Sequence, residues 1–237
     1  MDTLPAIKRV HARRLRDVYR SAGWPYQDLV EIELLAAGLL EHFVEPSGHT
    51  VVRLTEAGIR HVAQSAGQNR QARSAHEDLV QQIARHMQRD GRIVWTGLNL
   101  RARVTSPDGE SGWRWCMPDV FSIRNSSVES YLEPVVHEIK VNRADLLGDL
   151  KRPEKRQAYL DVGGQCWYVL GLDAKGRVIG AADEIPSECG VMVAGSARIE
   201  VVRPAPKRPS PRLPFAVWMA LAKAAPMERE EDGGEQF

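Results

Sequence analysis

Two charged residues lie on one face of an otherwise apolar segment. The run VVHEIKV (residues 135–141) has the composition of a β-strand, and it places Glu138 and Lys140 two residues apart. Side chains at that spacing point to the same face of a strand. A charge in a central strand is unfavourable without a partner. The two residues therefore form either a structural ion pair or part of a metal site with a positioned water.

A second carboxylate lies upstream, where Asp119 follows Pro118 at the junction of two strand-like runs. About eighteen residues separate Asp119 from Glu138. That spacing allows one hairpin, so two neighbouring strands can bring the carboxylates together. The alternative is that Asp119 is only a turn residue after proline.

The pattern PD…ExK, formed by Asp119, Glu138 and Lys140, resembles the PD-(D/E)XK nuclease superfamily. The resemblance implies phosphodiester hydrolysis with Mg²⁺ or Mn²⁺, held by Asp119, Glu138 and the backbone carbonyl of Ile139. Mg²⁺ prefers oxygen ligands, commonly one or two carboxylates with waters, and it lowers the pKa of a bound water. Lys140 would orient that water or stabilise charge on the phosphate.

Two further acidic residues have alternative roles. In the superfamily the first helix often supplies an acidic metal ligand, and Glu77 is placed for that role. The stretch Ser74 to Glu77 is also a capping box, in which Ser74 begins the helix and Glu77 bonds back to it. Asp145, three residues after Asn142, is either near the metal or half of a capping pair.

A basic segment follows the Glu138 strand. Its residues share a helical face and would form a phosphate clamp beside the metal site, or only a solvated surface. They are Lys151, Arg152, Lys155, Arg156 and Tyr159.

Composition excludes several other classes of protein. The 237 residues carry a net charge of +1, so only local basic patches can argue for nucleic-acid binding. The three cysteines are far apart, without zinc-ligand, redox-motif or disulfide-framework spacing. We expect no membrane segment and a cytoplasmic location, because no apolar stretch reaches spanning length and the N-terminus has no secretion signal.

Hydrophobic periodicity predicts an α/β (α+β) chain with a mixed sheet flanked by helices. The resemblance to the PD-(D/E)XK superfamily implies that this core is restriction-endonuclease-like. The polar stretch 67–73 is predicted to mark the domain boundary. The predicted order is a winged-helix-like domain (1–68), a nuclease-like domain (72–203), and a proline-rich linker with a short helix and an acidic disordered tail (204–237). Predicted elements include a helix over 74–88, strands over 92–96, 100–104, 113–117, 120–123, 135–141 and 165–170, and helices over 143–150 and 153–162.

The N-terminal region resembles a winged helix, with two helices followed by a hairpin. Its second helix, in the position that would read bases, carries Asp28, Glu31 and Glu33, which phosphates repel. We therefore expect no base reading there; any DNA contact would come from the basic first helix. A docking or dimerisation role is the alternative.

The block from Glu138 to Tyr159, with looser matches over residues 74–225, resembles the MmcB-like branch of the superfamily, which is associated with DNA repair. The resemblance implies a divalent-metal-dependent DNA endonuclease or repair factor. The rival hypothesis is a non-catalytic winged-helix factor that binds DNA or protein and carries a nuclease-like fold. A homodimer or protein partner would use the winged helix or the C-terminal helix.

Overall fold

The computed structural model describes residues 7–21, 23–105, 109–195, 198–208 and 212–228. The chain divides into two compact units, Met1–Arg73 and Ser74–Phe237. Over the described ranges, no helix is both long enough and apolar enough to span a membrane. Residues 229–237, most of the acidic tail predicted from the sequence, lie outside the described residues.

The first unit contains two helices and a hairpin packed around a small core, followed by the beginning of a third helix. Leu15 and Val18 of the first helix meet Leu34 of the second, and strand residues Leu40 and Val52 complete the cluster. The predicted order of helices and hairpin is confirmed. Its elements are α1 (Arg9–Arg20), α2 (Leu29–Ala36), β1 (Leu40–Val44) and β2 (Thr50–Leu54).

The acidic residues of α2 and its N-cap bind groups inside the first unit. Asp28 accepts two hydrogen bonds from the Arg14 guanidinium, at 3.0 and 2.7 Å, and also caps α2 by accepting from the backbone N–H of Glu31. The Glu33 carboxylate lies 2.5 Å from the buried His11 ring. Asp28 and Glu33, two of the carboxylates that argued against base reading, therefore help to hold α1 against α2.

The long helix α3 (Glu56–Arg89) corrects the predicted start of a helix at Ser74. Residues 67–73, predicted to mark the domain boundary, do lie where the two units divide, after Arg73, but they are helical. Ser74 lies inside the helix and does not cap it, so the capping box with Glu77 is wrong. The helix instead begins after Thr55, whose Oγ1 accepts a hydrogen bond from the backbone N–H of Gly58 at 3.1 Å.

The second unit is built on a mixed six-stranded sheet, which confirms the predicted α+β class. The strand order is β10-β9-β8-β7-β6-β3, and β7 is parallel to β8 and antiparallel to β6. Strands β4 and β5 form a separate antiparallel ribbon. The strands are β3 (Arg92–Thr96), β4 (Leu100–Thr105), β5 (Ser111–Cys116), β6 (Val120–Arg124), β7 (Val135–Lys140), β8 (Gln165–Leu170), β9 (Gly190–Ala194) and β10 (Ile199–Arg203).

Helices cover both faces of this sheet. Apolar residues of α3 pack with Val135 and Ile139 on one face of β7. On the other face, Val136 packs in a cluster with residues of α5, α6 and the β4–β5 ribbon. The remaining helices of the second unit are α4 (Arg143–Leu150), α5 (Pro153–Val162) and α6 (Phe215–Lys223).

Candidate functional site

The central strand β7 carries both charged residues singled out by the sequence. All six of its residues are buried, with β6 and β8 as its neighbours. Glu138 and Lys140 are 3 % and 5 % exposed and alternate with the apolar Ile139, which packs on the other face. The charged pair therefore lies in the interior of the unit, where each charge needs a partner.

Asp119 lies beside this strand. It directly precedes β6, and the antiparallel register pairs Val120 with His137, so Asp119 falls level with Glu138. Its Oδ2 accepts a hydrogen bond from the backbone N–H of Ile139 at 2.7 Å. The pairing of β6 with β7 and the hydrogen bond to Ile139 thus hold the Asp119 carboxylate against the Glu138–Lys140 segment.

The Glu138 carboxylate receives three donors. Its Oε1 lies 2.6 Å from Nζ of Lys140 and 2.5 Å from Nζ of Lys155. Its Oε2 accepts from the Tyr159 hydroxyl at 2.6 Å. The same hydroxyl is 3.0 Å from the backbone oxygen of Met117, so one phenolic proton is shared between two acceptors. Two ammonium groups and a phenol thus fix Glu138.

Helix α4 supplies a further pair of carboxylates, one turn apart. Asp149 is buried; its Oδ1 lies 2.6 Å from Nζ of Lys155, and its Oδ2 accepts from the Tyr168 hydroxyl at 2.8 Å. Asp145 is exposed at its surface and lies 3.2 Å from Nζ of Lys140. Residues four apart share a helix face, which is why both reach the lysines.

The surroundings keep both lysines charged. Burial lowers the pKa of Lys140, but the neighbouring Glu138 carboxylate outweighs it, with Asp149 and Asp145 adding, and the pKa is raised. The pKa of Lys155 is likewise raised, because Glu138 and Asp149 outweigh burial and the repulsion from Lys140. Neither amine is available as a general base near neutral pH.

Both tyrosines remain protonated donors. Burial raises the pKa of Tyr159, and the adjacent Glu138 carboxylate raises it further. Burial and Asp149 do the same for Tyr168. For Asp149, burial alone would raise the pKa of the carboxyl, but the hydrogen bond from Lys155 and the nearby charge of Lys140 lower it.

A histidine of α3 contacts the Asp119 carboxylate. His76 Nε2 lies 3.4 Å from Oδ1 of Asp119, and the pKa of His76 is raised because that carboxylate stabilises the imidazolium. Lys140 and Glu138 also act electrostatically on this ring. Glu77, the sequence candidate from this helix, is an exposed residue of α3.

The basic residues predicted as a phosphate clamp separate into different environments. Lys151 and Arg152 are exposed. Arg156 pairs with Glu188 at 2.8 Å, and only 13 % of its side chain is exposed. Lys155 and the buried Tyr159 contact Glu138 as described above. Lys151 and Arg152 are therefore the members of this group most accessible to a phosphate.

The sequence interpretation missed three contributors, namely His76, Asp149 and the role of Lys155 as a partner of Glu138. Asp149 had a usable signal, because it lies four residues after Asp145 on the helix that follows the Glu138 strand. For Asp145 itself, the capping alternative fails in part: Asn142 caps α4 by accepting from the backbone N–H of Ala144 at 2.8 Å, whereas Asp145 contacts Lys140.

The two carboxylates are suitable ligands for a divalent cation. A carboxylate has about four acceptor positions; at Glu138, Lys140, Lys155 and Tyr159 use three, which leaves one on Oε2. Asp119 keeps a free position on each oxygen by the same count. Mg²⁺ needs only one or two carboxylates when waters fill the remaining positions. Over the described part of the chain, no group of three or more His, Cys, Asp or Glu side chains could hold a metal ion. Any metal here would keep several waters.

Comparison with known proteins gives little further guidance. No protein-family model matches the chain, and no curated protein matches it. A protein of unknown function from Silicibacter pomeroyi is structurally similar, with 23 % identity and a TM-score of 0.39. The similarity covers 60 % of this chain and 77 % of that one.

Proposed function

We propose that the protein is a divalent-metal-dependent DNA endonuclease, or a nuclease-like DNA repair factor that hydrolyses phosphodiester bonds. One observation carries this proposal. Asp119 accepts a hydrogen bond from the backbone N–H of Ile139, and the neighbours of Ile139 in sequence, Glu138 and Lys140, form an ion pair on the face of β7 that the Ile139 side chain does not occupy. Two carboxylates and an ammonium group thus lie along one segment of β7, a combination that metal-assisted phosphodiester cleavage can use.

Each residue has a definite role in this proposal. Asp119 and Glu138 would hold Mg²⁺ or Mn²⁺, which, when bound, neutralises phosphate charge and acidifies a water. Lys140 remains charged, so it donates to a phosphate oxygen and stabilises the charge that develops there. Tyr159 and Lys155 act through Glu138 by fixing its carboxylate. The exposed Lys151 and Arg152 add affinity for the DNA backbone.

A second function is favoured by a specific observation. The three donors that surround Glu138 also form a structural network of the kind that a protein needs for burying a carboxylate. This favours a non-catalytic factor that binds DNA or protein and keeps the acidic residues only for stability. The two functions differ in whether a metal binds and DNA is cut.

The deciding experiment combines metal titration calorimetry with a cleavage assay on duplex, single-stranded and branched DNA in Mg²⁺ or Mn²⁺. Glu138→Gln and Asp119→Asn should lose metal binding and cleavage together, whereas Lys140→Ala should keep metal binding and lose most cleavage. Glu200→Gln, at an exposed carboxylate of β10, is the control; purified in the same way, it should behave as wild type.

Two outcomes would count against catalysis. Wild-type protein that binds no metal and cuts none of the substrates supports the non-catalytic factor. Cleavage by Glu138→Gln at the wild-type rate would show that the activity comes from another site or from a contaminant. Circular dichroism of each variant separates loss of function from loss of folding.

A further inference from the structure

The outer face of the β4–β5 ribbon exposes tryptophan and arginine side chains. Pairing of Arg101 with Trp115 and of Arg103 with Trp113 places these four residues on one face, because directly opposed residues of an antiparallel pair lie on the same side. Trp113 is 57 % and Trp115 67 % exposed. On the other face Leu100, Ala102, Val104 and Cys116 are buried.

Exposed tryptophans are unusual on a protein surface that has no binding partner. Each indole is a large apolar ring whose exposure to water is unfavourable, and clustered apolar exposure marks interaction sites. The packing of Leu100, Ala102 and Val104 on the inner face fixes the ribbon to the core of the unit. The rings are therefore presented on a supported strand pair.

Positive charge accompanies the rings. The Arg101 guanidinium carbon lies 4.9 Å from the centre of the Trp115 ring. Across the described ranges, neither Arg101 nor Arg103 is paired with a carboxylate side chain; Asp161 accepts only from the backbone N–H of Arg103. Exposed aromatic rings beside uncompensated guanidinium groups match the bases and phosphates of a nucleic-acid strand.

The ring spacing favours unpaired bases. Trp113 and Trp115 are two residues apart on a strand, hence about 7 Å apart, so each ring can stack on a different base. In a duplex the base faces are covered by their neighbours, and only base edges are open in the grooves. Stacking on both indoles therefore requires a single strand.

The ribbon also leads to the candidate site. Met117, 58 % exposed, follows Trp115 by two residues and precedes Asp119 by two. The backbone oxygen of Met117 accepts the Tyr159 hydroxyl, which also contacts Glu138. A DNA strand that lies along Trp113 and Trp115 would therefore extend towards the Asp119 and Glu138 carboxylates.

We propose that the outer face of the β4–β5 ribbon binds single-stranded DNA, with bases stacked on Trp113 and Trp115 and phosphates bound by Arg101 and Arg103. The assignment of DNA as the ligand, and of this strand as the substrate, rests on the proposed nuclease function. Binding itself needs no metal, since stacking and arginine contacts supply it.

The test is fluorescence anisotropy of the full chain with a labelled thymidine oligonucleotide of about 16 nucleotides, a site size typical of such surfaces, in EDTA. Removing two stacking platforms in Trp113→Ala/Trp115→Ala should weaken binding at least about tenfold. Tyr131→Ala, at another exposed aromatic ring of the same unit, should bind as wild type. The affected residues are exposed, and melting curves should show unchanged folding.

The arginines are tested by salt dependence. Arg101→Ala/Arg103→Ala should lower the slope of log affinity against log salt by about 1.4, because each single-strand phosphate contact contributes about 0.7. Arg177→Ala is the matched control, since that exposed guanidinium is already paired with Asp173 at 2.8 Å. An unchanged slope in the ribbon variant would overturn the assignment of Arg101 and Arg103.

The remaining outcomes separate this inference from the proposed function. Ribbon-dependent binding in EDTA, without cleavage in any metal, supports the single-strand site and overturns the nuclease. Metal-dependent cleavage that both ribbon variants retain at the wild-type rate overturns the single-strand site and leaves the nuclease standing. The inference is overturned if duplex DNA binds with equal affinity, or if an RNA of the same length binds more tightly. It is also overturned if no oligonucleotide binds, which is the result expected of a protein-docking surface.

Discussion

The ammonium group of Lys155 lies 2.5 Å from Oε1 of Glu138, although the two residues come from α5 and β7. The same ammonium lies 2.6 Å from Oδ1 of Asp149. A positive charge from a helix thus occupies part of the carboxylate that would bind a metal. Lys155 therefore influences both the stability of the buried carboxylates and their affinity for a cation.

Replacing Lys155 by methionine should raise the affinity of the site for Mn²⁺ by about tenfold. The change keeps much of the side-chain volume and removes a positive charge that repels the incoming cation. Repulsion between charges a few ångströms apart is worth more than about 1 kcal/mol. Titration calorimetry measures it. Lys151→Met, at an exposed lysine before the same helix, is the control and should leave the affinity unchanged. Unchanged or weaker binding by Lys155→Met would contradict a metal site at Glu138.

Asp149 and Asp145 should differ in their contribution to stability. Asp149→Ala leaves the buried Lys140 and the partly buried Lys155 short of a carboxylate, which should lower the free energy of unfolding by about 3 kcal/mol. Asp145→Ala removes an exposed partner of Lys140 and should change it by less than about 1 kcal/mol. Urea unfolding at neutral pH measures both. Equal effects would mean that the buried network has no special energetic role.

Some elements could be predicted from the sequence to the residue. The structure has β3, β8, α4 and α5 at their predicted bounds. Their ends carry strong local signals, such as Asn142 before α4 and Pro153 at the start of α5. Helix α3 was predicted too short because residues 67–73 lack apolar periodicity. Helix propensity of residues such as Gln and Arg continues the helix without a buried face.

The candidate site was less predictable, because most of its contacts join distant segments. Glu138 and Lys140 could be placed on one face from strand alternation alone. The contacts of Glu138 with Lys155 and Tyr159 depend on how α5 packs over β7, and no local pattern states that. The approach of His76 to Asp119 likewise depends on where α3 crosses the end of β6.

Two buried tyrosines make it possible to separate the effect of a hydrogen bond on metal affinity from its effect on stability. Tyr159→Phe removes the donor to Glu138, and Tyr168→Phe removes the donor to Asp149. Each loses a hydrogen bond to a charged group and should destabilise the protein by about 1.5–3 kcal/mol. Only Tyr159→Phe should also change Mn²⁺ affinity, because Glu138 is the ligand. Unfolding and calorimetry on both variants test this; an equal change in metal affinity would mean a general loss of packing.

The contact between His76 and Asp119 should make stability depend on pH near neutrality. The pKa of His76 is raised in the folded protein, so the charged imidazole stabilises the fold fully below its unfolded pKa of about 6.5. That contribution is lost as the pH rises through the raised folded value. His76→Gln should therefore reduce the free energy of unfolding most at about pH 5.5, with a difference from wild type that shrinks above neutrality.

Histidine NMR titration tests the cause of this dependence directly. In the wild type the His76 signals should report a pKa above the ordinary value, and Asp119→Asn should lower it, because the amide no longer stabilises the imidazolium. His137 is an internal control, because burial, with help from Arg92 and His86, lowers its pKa to about 3, so its signals should not move between about pH 5 and 8 in either protein. A pKa of His76 that stays unchanged in Asp119→Asn would show that the carboxylate does not hold the ring. The proposed link between α3 and the site would then fail.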